Sequence, residues 1–155
     1  MNSFVRFLSK TYILFLTVVV GFSLFAGAVV APVIFNSALF LSEPLLSRFQ
    51  EGLLMTEVFV RLSYPLALLC VLSLVYEVYQ FVTVKTDWWA LLSMFVMVTT
   101  GLLFCFYFVP QIVELQSQGA LVTQSGGFAT LHKISEVSFK ITVLSGIILI
   151  YRRLK

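Results

Sequence analysis

The stretch YILFLTVVVGFSLFAGAVVAPVIF, residues 12–35, contains no charged side chain. A run of about 20 apolar residues crosses a bilayer as a helix, the conformation that satisfies every backbone N–H and C=O away from water. Three further apolar runs follow, at residues 62–84, 88–109 and, with more polar residues, 131–151. The pattern predicts an all-α, polytopic membrane protein, a four-helix transmembrane bundle whose runs we call spans one to four.

Composition agrees with this prediction, since 60% of the residues are hydrophobic and 11% are charged, against about 25% charged in soluble domains. Four spans and their links use nearly the whole sequence, so we expect one integral membrane domain over residues 1–155. The net charge is +3, but the basic residues are scattered along the chain rather than gathered in one patch. Nucleic-acid binding is therefore not expected, and the lipid bilayer is the expected partner.

The beginning of the chain has a second interpretation. Arg6 and Lys10 precede the first apolar run, and Ala26-Gly27-Ala28 has the form of a signal-peptidase site,. The apolar run continues to Phe35, which is longer than a signal peptide requires. We therefore expect span one to be retained.

A short amphipathic helix is predicted on the outer surface between spans one and two, at residues 42–55. Ser42-Glu43-Pro44 is a good helix start, with a capping side chain and a proline in the first turn,. Apolar residues then recur at helical spacing opposite polar ones, as in helices that lie on a membrane surface.

Lysine and arginine set the expected orientation. They concentrate before span one, between spans two and three, and after span four, whereas the two longer links carry only Arg48 and Arg61. Cytoplasmic segments of membrane proteins carry the excess of basic residues. We expect both termini in the cytoplasm and the protein in the cell membrane, a bacterial inner membrane.

Small residues recur every fourth position in span one, at Ser23, Gly27 and Ala31. This spacing puts them on one helix face, where they allow a neighbouring helix to approach closely. The cysteines Cys70 and Cys105 both fall inside apolar runs and are expected to be small buried side chains,.

Span four is the most polar of the four. Its outer half carries His132, Ser135, Glu136 and Lys140, and ionisable groups inside a membrane usually face the bundle interior or a water-filled cavity. Glu77 in span two is a possible partner for Lys140. One hypothesis is a polar track through the bundle formed by His132, Glu136, Lys140 and Glu77.

The alternative is that Glu136 and Lys140, four residues apart, form a self-satisfied pair while Glu77 bonds a tyrosine or reaches the interface,. Glu57 and Arg61 have the same spacing at the outer end of span two, where an exposed ion pair contributes little stability.

No motif of an enzyme or of a nucleotide or haem site is present, so we expect neither catalytic residues nor a cofactor. The single histidine, His132, lies near the outer face with Glu57, Glu114 and Glu136. These residues have no short-spaced ligand motif, and no metal site is expected. A metal-handling protein or a membrane enzyme that uses His132 and the outer carboxylates remains the alternative.

Several landmarks together resemble a known family. They are GAVVAPVIF at 27–35, EG at 51–52, VFVR at 58–61 with Tyr64, Pro110 as the residue that closes span three, and FxxLHxxS at 128–135. This set is similar to the transmembrane protein 205-like family of small four-span proteins, for which no activity is secure. A weaker likeness to copper-resistance membrane proteins supports the metal-handling alternative.

The residues that carry the resemblance all map to the outer ends of their spans, which predicts an outward-facing vestibule closed by the 42–55 helix. The favoured function is non-enzymatic: a small transport or permeation component, or an assembly partner in the membrane, as a homo-oligomer or with another membrane protein. The residues that map to the outer ends of the spans are Pro32, Phe35, Arg61, Tyr64, Pro110 and His132.

Overall fold

A computed structural model describes residues 3–40, 45–84 and 87–155 of the chain. Its first rod consists of helix α1, Ser3–Phe25, a π-helical segment, Ala26–Val30, and helix α2, Ala31–Phe35. A 3-10 turn at Ser37–Leu39 follows. The predicted span one is therefore present and begins earlier than the apolar run alone indicated.

Helix α3, Arg48–Val84, is a single 37-residue helix. It includes the second half of the predicted surface helix, so the prediction of a separate amphipathic helix at 42–55 is wrong over the described residues; residues 42–44 lie outside them. No helix breaker separates Met55 from span two, and both Glu51 and Met55 are buried. The segment continues span two and packs on the bundle.

The third rod consists of helix α4, Trp88–Leu103, a second π-helical segment, Phe104–Phe108, and helix α5, Val109–Ser117. The chain thus stays helical past Pro110, and the prediction that Pro110 closes span three is wrong. A proline has no N–H to offer the preceding turn. The π-helical turn, in which Val109 N–H donates to the Phe104 carbonyl, accommodates this loss,.

The same arrangement occurs in the first rod, where Ala31 N–H donates to the Ala26 carbonyl immediately before Pro32. Pro32 is thus accommodated by a widened turn, and the chain continues for a further helical turn to Phe35. Both π-helical segments lie in the outer halves of their rods.

A short helix, α6, Ala120–Thr123, leads to helix α7, Gly126–Leu154. Ser125 caps α7 by accepting a hydrogen bond from Phe128 N–H at 3.2 Å. The link between the predicted spans three and four is therefore largely helical, and span four begins before residue 131.

Within the described residues, four helical rods are long and apolar enough to cross a membrane: Val5–Phe35, Arg48–Thr83, Trp88–Ser117 and Gly126–Leu154. The all-α, four-span architecture predicted from sequence is thus confirmed. Tyr12 and Arg153 both donate hydrogen bonds to the Glu77 carboxylate, so the first, second and fourth rods meet at one end of the bundle, here called the inner end.

The bundle interior is filled mainly by apolar side chains. Leu16, Leu69, Met97 and Leu149 are almost fully buried in one contiguous core. Towards the opposite, outer end, the rings of Phe59, Phe104 and Phe139 pack with centroids 4.8–5.5 Å apart.

Candidate functional site

Helix α7 has two polar faces with different surroundings. Ser135, Ser138, Thr142 and Ser145 are buried against the bundle. His132, Lys133, Glu136 and Lys140 are exposed. At 100° per residue the two sets lie on nearly opposite sides of the helix.

On the buried face, the hydroxyls of Ser135, Ser138 and Thr142 are hydrogen-bonded within the protein. The hydroxyls of Thr100 and Thr142 are 2.8 Å apart, and Ser138 Oγ donates to the Thr100 carbonyl at 3.1 Å. The backbone of Gly101 is so close that a methyl group there would lie 3.2 Å from Thr142 Cγ2 and 2.7 Å from Cys70 Sγ. Small and hydroxyl-bearing residues therefore bring α4 and α7 together, as is common between membrane helices.

The exposed face carries an ion pair at its centre. Lys140 Nζ lies 2.5 Å from Glu136 Oε1, and the two side chains are 66% and 52% exposed. Lys140 is the middle residue of α7, Gly126–Leu154, about 21 Å from either helix end at 1.5 Å per residue. Both charges thus point away from the bundle, near the middle of a helix long enough to cross the membrane.

Glu77 is fully buried at the inner end and binds a different cation from the one expected. Arg153 Nε donates to Glu77 Oε1 at 2.8 Å, and a second guanidinium nitrogen bonds Oε2. Tyr12 donates its hydroxyl to the same carboxylate at 3.1 Å. The carboxylate therefore has a bidentate arginine partner and a neutral donor.

Aromatic rings enclose this ion pair. The rings of Tyr12 and Tyr76 stack with centroids 4.1 Å apart. The Arg153 guanidinium lies 5.7 Å from the Tyr76 ring centroid, and Tyr76 donates its hydroxyl to Ser9 Oγ at 2.8 Å. We call Ser9, Tyr12, Tyr76, Glu77 and Arg153 the inner polar cluster.

These contacts correct the hypothesis of one polar track. Glu136 bonds Lys140 on the outer surface of the bundle, whereas Glu77 bonds Arg153 and Tyr12 inside it. Depth along the helix was the basis of the hypothesis, but the rotation of α7 directs Lys140 away from the interior. The contacts agree with the alternative, in which Glu136 and Lys140 form a self-contained pair and Glu77 bonds a tyrosine. The structure adds Arg153 as a second partner of Glu77.

The remaining predicted site residues lie mostly on the outer surface. Arg61 Nε bonds Glu57 Oε1 at 2.7 Å, with side chains 78% and 56% exposed. The His132 ring stacks on Phe128 with centroids 6.1 Å apart. Pro110 is exposed, and Ser135 is buried with its hydroxyl donating to the His132 carbonyl at 2.7 Å.

In the part of the chain that the structure describes, shallow apolar grooves lie where an enclosed vestibule was predicted. The first, about 500 Å³, lies between α3 and α5 and includes Glu57 and Gln116 in its lining. The second, about 370 Å³, lies between α1 and α3 and includes Arg61 and Pro65. Tyr64 is 71% exposed. Residues such as Arg61 and Tyr64, which were expected to converge on a vestibule, therefore lie on open surface.

The predicted packing stripe is changed by the π-helical segment. Ser23 is buried, and a methyl group on Gly27 would lie 3.5 Å from the Phe139 ring. Ala26 is buried whereas Gly27 and Ala31 are not, because the wider π-helical turn alters the four-residue register. The closest backbone approaches among the described glycines are at Gly101 and Gly146.

Sequence reasoning missed two buried or half-buried charges. Glu51 accepts hydrogen bonds from Ser37 Oγ at 2.6 Å and from Arg48 at 3.2 Å, which joins the outer end of the first rod to α3. Arg153 was assigned to the cytoplasmic surface. The signal for Arg153 was available, because a buried Glu77 requires a cation from a neighbouring helix.

No group of three or more His, Cys, Asp or Glu side chains that could hold a metal occurs in the part of the chain that the structure describes. Cys70 and Cys105 are buried free thiols, and Cys105 Sγ lies 3.4 Å from the Ser63 carbonyl oxygen.

The sequence model of a family described as a domain of unknown function, DUF4149, matches residues 14–121, well over half of the chain. The chain belongs to this family. The matched DUF4149 segment covers the second and third rods and the first rod from residue 14 onwards, but not α7. The inner ion pair therefore joins a residue inside the match, Glu77, to one outside it, Arg153. No curated protein and no solved structure matches the sequence.

Proposed function

We propose that this DUF4149 protein is a non-enzymatic assembly component of the membrane that acts through lateral association at the exposed face of α7. The observation that carries the proposal is the Glu136–Lys140 pair, which is exposed at the middle of a helix long enough to span the membrane. Ionisable side chains at such a depth cost about 2.5–3.5 kcal/mol each on insertion scales. A protein partner that covers the pair lowers this cost.

The interior of the bundle favours assembly over permeation. The hydroxyls of Ser138 and Thr142 are bonded within the bundle, and the carboxylate of Glu77 is neutralised by Arg153. Apolar side chains such as Leu16 and Met97 fill the space between these polar groups. A permeation path would need a series of polar groups free to bind a solute, whereas among the described buried side-chain atoms only Ser73 Oγ and Arg152 Nε have no hydrogen-bond partner.

We further propose membership of the narrower transmembrane protein 205-like group and a location in a bacterial inner membrane with both termini cytoplasmic. The sequence motifs support the first, and the concentration of lysine and arginine at the inner ends supports the second,. Metal handling is the less favoured function, since His132 is stacked on Phe128 and belongs to no group of three or more potential metal ligands among the described residues.

Site-specific photo-crosslinking in native membranes tests the assembly. A photoreactive amino acid at Leu144, exposed on the same face as Lys140, is expected to give a crosslinked adduct. Leu68 is a matched control: it is exposed on α3 nine residues before Glu77, as Leu144 is nine residues before Arg153.

The role of the charges is tested with a doubly substituted chain, E136L/K140L, which should lose the Leu144 adduct. The control E57L/R61L removes an exposed ion pair of the same spacing on α3 and should retain it. Equal crosslinking at Leu144 and Leu68, or none at either, would contradict the proposed function.

A further inference from the structure

We infer that the partner at the exposed face of α7 is a second copy of this chain, arranged as a parallel dimer in which Glu136 and Lys140 exchange partners between copies. The inference rests on the proposed function and specifies its partner. The ion pair and the apolar residues on the same face carry it.

The exposed face is continuous on the inner side of the ion pair. Leu144, Ile147, Ile148 and Tyr151 are all between 40% and 60% exposed. They lie on the same side of the helix as Lys140 at 100° per residue. The face therefore combines one charged level with about two turns of apolar surface.

Symmetry explains why a second copy fits this face. A parallel dimer in a membrane has its twofold axis along the membrane normal, so each residue of one copy lies at the same depth as its equivalent in the other. Glu136 of the second copy is then displaced from Lys140 along the helix by the same four residues that the lysine side chain already bridges within one copy. The two glutamates and two lysines can form an alternating ring in which every charge has an opposite neighbour.

A partner of unrelated sequence would need its own acid and base at this depth. A second copy of this chain supplies both the acid, Glu136, and the base, Lys140. It also covers the charged part of the α7 face, which lipid tails cannot solvate. Polar contacts between membrane helices fix the register as well as strengthen the association.

Complementation between two charge variants tests the exchange. In E136K and in K140E, each copy has two like charges on the face, so each variant alone should associate about threefold to thirtyfold more weakly than the unaltered chain. When copies carrying E136K and copies carrying K140E are expressed together, association should return. The measurement is disulfide formation at L144C between differently tagged copies in membranes, with L68C as the control.

A neutral variant, E136Q/K140M, guards against misfolding as the cause of lost association. In detergent dilute enough to keep both proteins monomeric, its thermal unfolding should match that of the unaltered chain, because both side chains of the pair are more than half exposed,. Its L144C crosslink in membranes should decrease.

If the unaltered chain forms a crosslinked homodimer but co-expression of E136K and K140E does not restore association, the exchange of ion-pair partners is wrong. An adduct at residue 144 with a different protein overturns the second copy and leaves the proposed function standing. No adduct of any kind overturns both.

Discussion

At the residue scale, Glu77 is the most constrained side chain of the protein. It is fully buried, receives two hydrogen bonds from Arg153 and a third from Tyr12, and connects three rods. Removing one member of a buried ion pair leaves the other uncompensated, which is much more destabilising than loss of an exposed pair. The inner polar cluster should therefore be the most sensitive part of the bundle to single substitutions.

The variant Glu77→Gln is expected to lower the free energy of unfolding by about 3 kcal/mol, the lower end for a buried pair, because Arg153 can turn towards the interface. Thermal or denaturant unfolding in detergent measures this. Glu57→Gln, which removes an exposed pair, should stay within about 1 kcal/mol of the unaltered protein.

A double variant separates the ion pair from general disruption. Glu77→Gln combined with Arg153→Met should be less destabilising than the sum of the two single changes, by about 1 kcal/mol or more. Additive effects would show that the two side chains stabilise the bundle independently.

Sequence reasoning identified Glu77, Glu136 and Lys140 and left two pairings open, of which the structure has the self-contained Glu136–Lys140 pair with Glu77 bonded to a tyrosine, and not the polar track. Counting residues from the inner boundary gives depth, whereas the rotation of a helix about its axis depends on which face packs. The hydroxyl-bearing face of α7 packs on α4 through Thr100 and Ser138, and this directs Lys140 outwards. Apolar periodicity gave no indication of rotation, because span four is apolar on its exposed side as well.

At the element scale, the existence of the four spans could be predicted from sequence and their ends could not. Charge and proline were taken as boundaries at Arg61 and Pro110, but α3 begins at Arg48 and α5 continues to Ser117. Hydropathy does not predict these ends. The start of α3 depends on a tertiary contact, in which Glu51 is buried against Ser37, and the continuation past Pro110 depends on a local π-helical turn.

Glycines at the helix contacts provide a test of the packing. A methyl group on Gly146 would lie 2.7 Å from Val20 Cγ2, a stiff and buried side chain. Gly146→Ala is therefore expected to destabilise the bundle by about 1–3 kcal/mol in an unfolding experiment. Gly21→Ala, with no atom within 4 Å, is the control and should be neutral or stabilising by up to about 1 kcal/mol,.

The start of α4 offers a second test at this scale. Asp87 accepts a hydrogen bond from Trp89 N–H at 3.0 Å and forms an ion pair with Arg152. Asp87→Ala removes the helix cap and the ion pair, with an expected loss of about 1–2 kcal/mol. Asp87→Asn keeps the capping oxygen, so it should retain most of this stability; equal losses for the two variants would assign the effect to the ion pair.

At the scale of the whole molecule, the rods form a bundle whose inner end is bonded across three helices and whose outer end is open. Tyr12 and Arg153 bind the same carboxylate, so the beginning of α1 and the end of α7 lie on the same side. This arrangement requires an even number of crossings between them, as four spans provide.

Fluorescent protein fused at either end is expected to be bright, because we propose that both ends are cytoplasmic. A periplasmic phosphatase inserted beside Leu121, which is 85% exposed, should be active. If the two ends were found on opposite sides of the membrane, the four-span topology would be wrong. If all three positions were on the side opposite to the one expected, only the orientation would be wrong.

The inner ion pair also bears on how the protein is made. Glu77 leaves the ribosome 76 residues before Arg153, so the translocon receives an acidic helix before its arginine exists. A nascent chain halted between α3 and α7 has the Glu77 carboxylate and its Tyr12 donor but no cation to neutralise the charge, and an unneutralised charge inside a membrane is costly,. The same bond that holds the mature bundle thereby marks the completion of its synthesis.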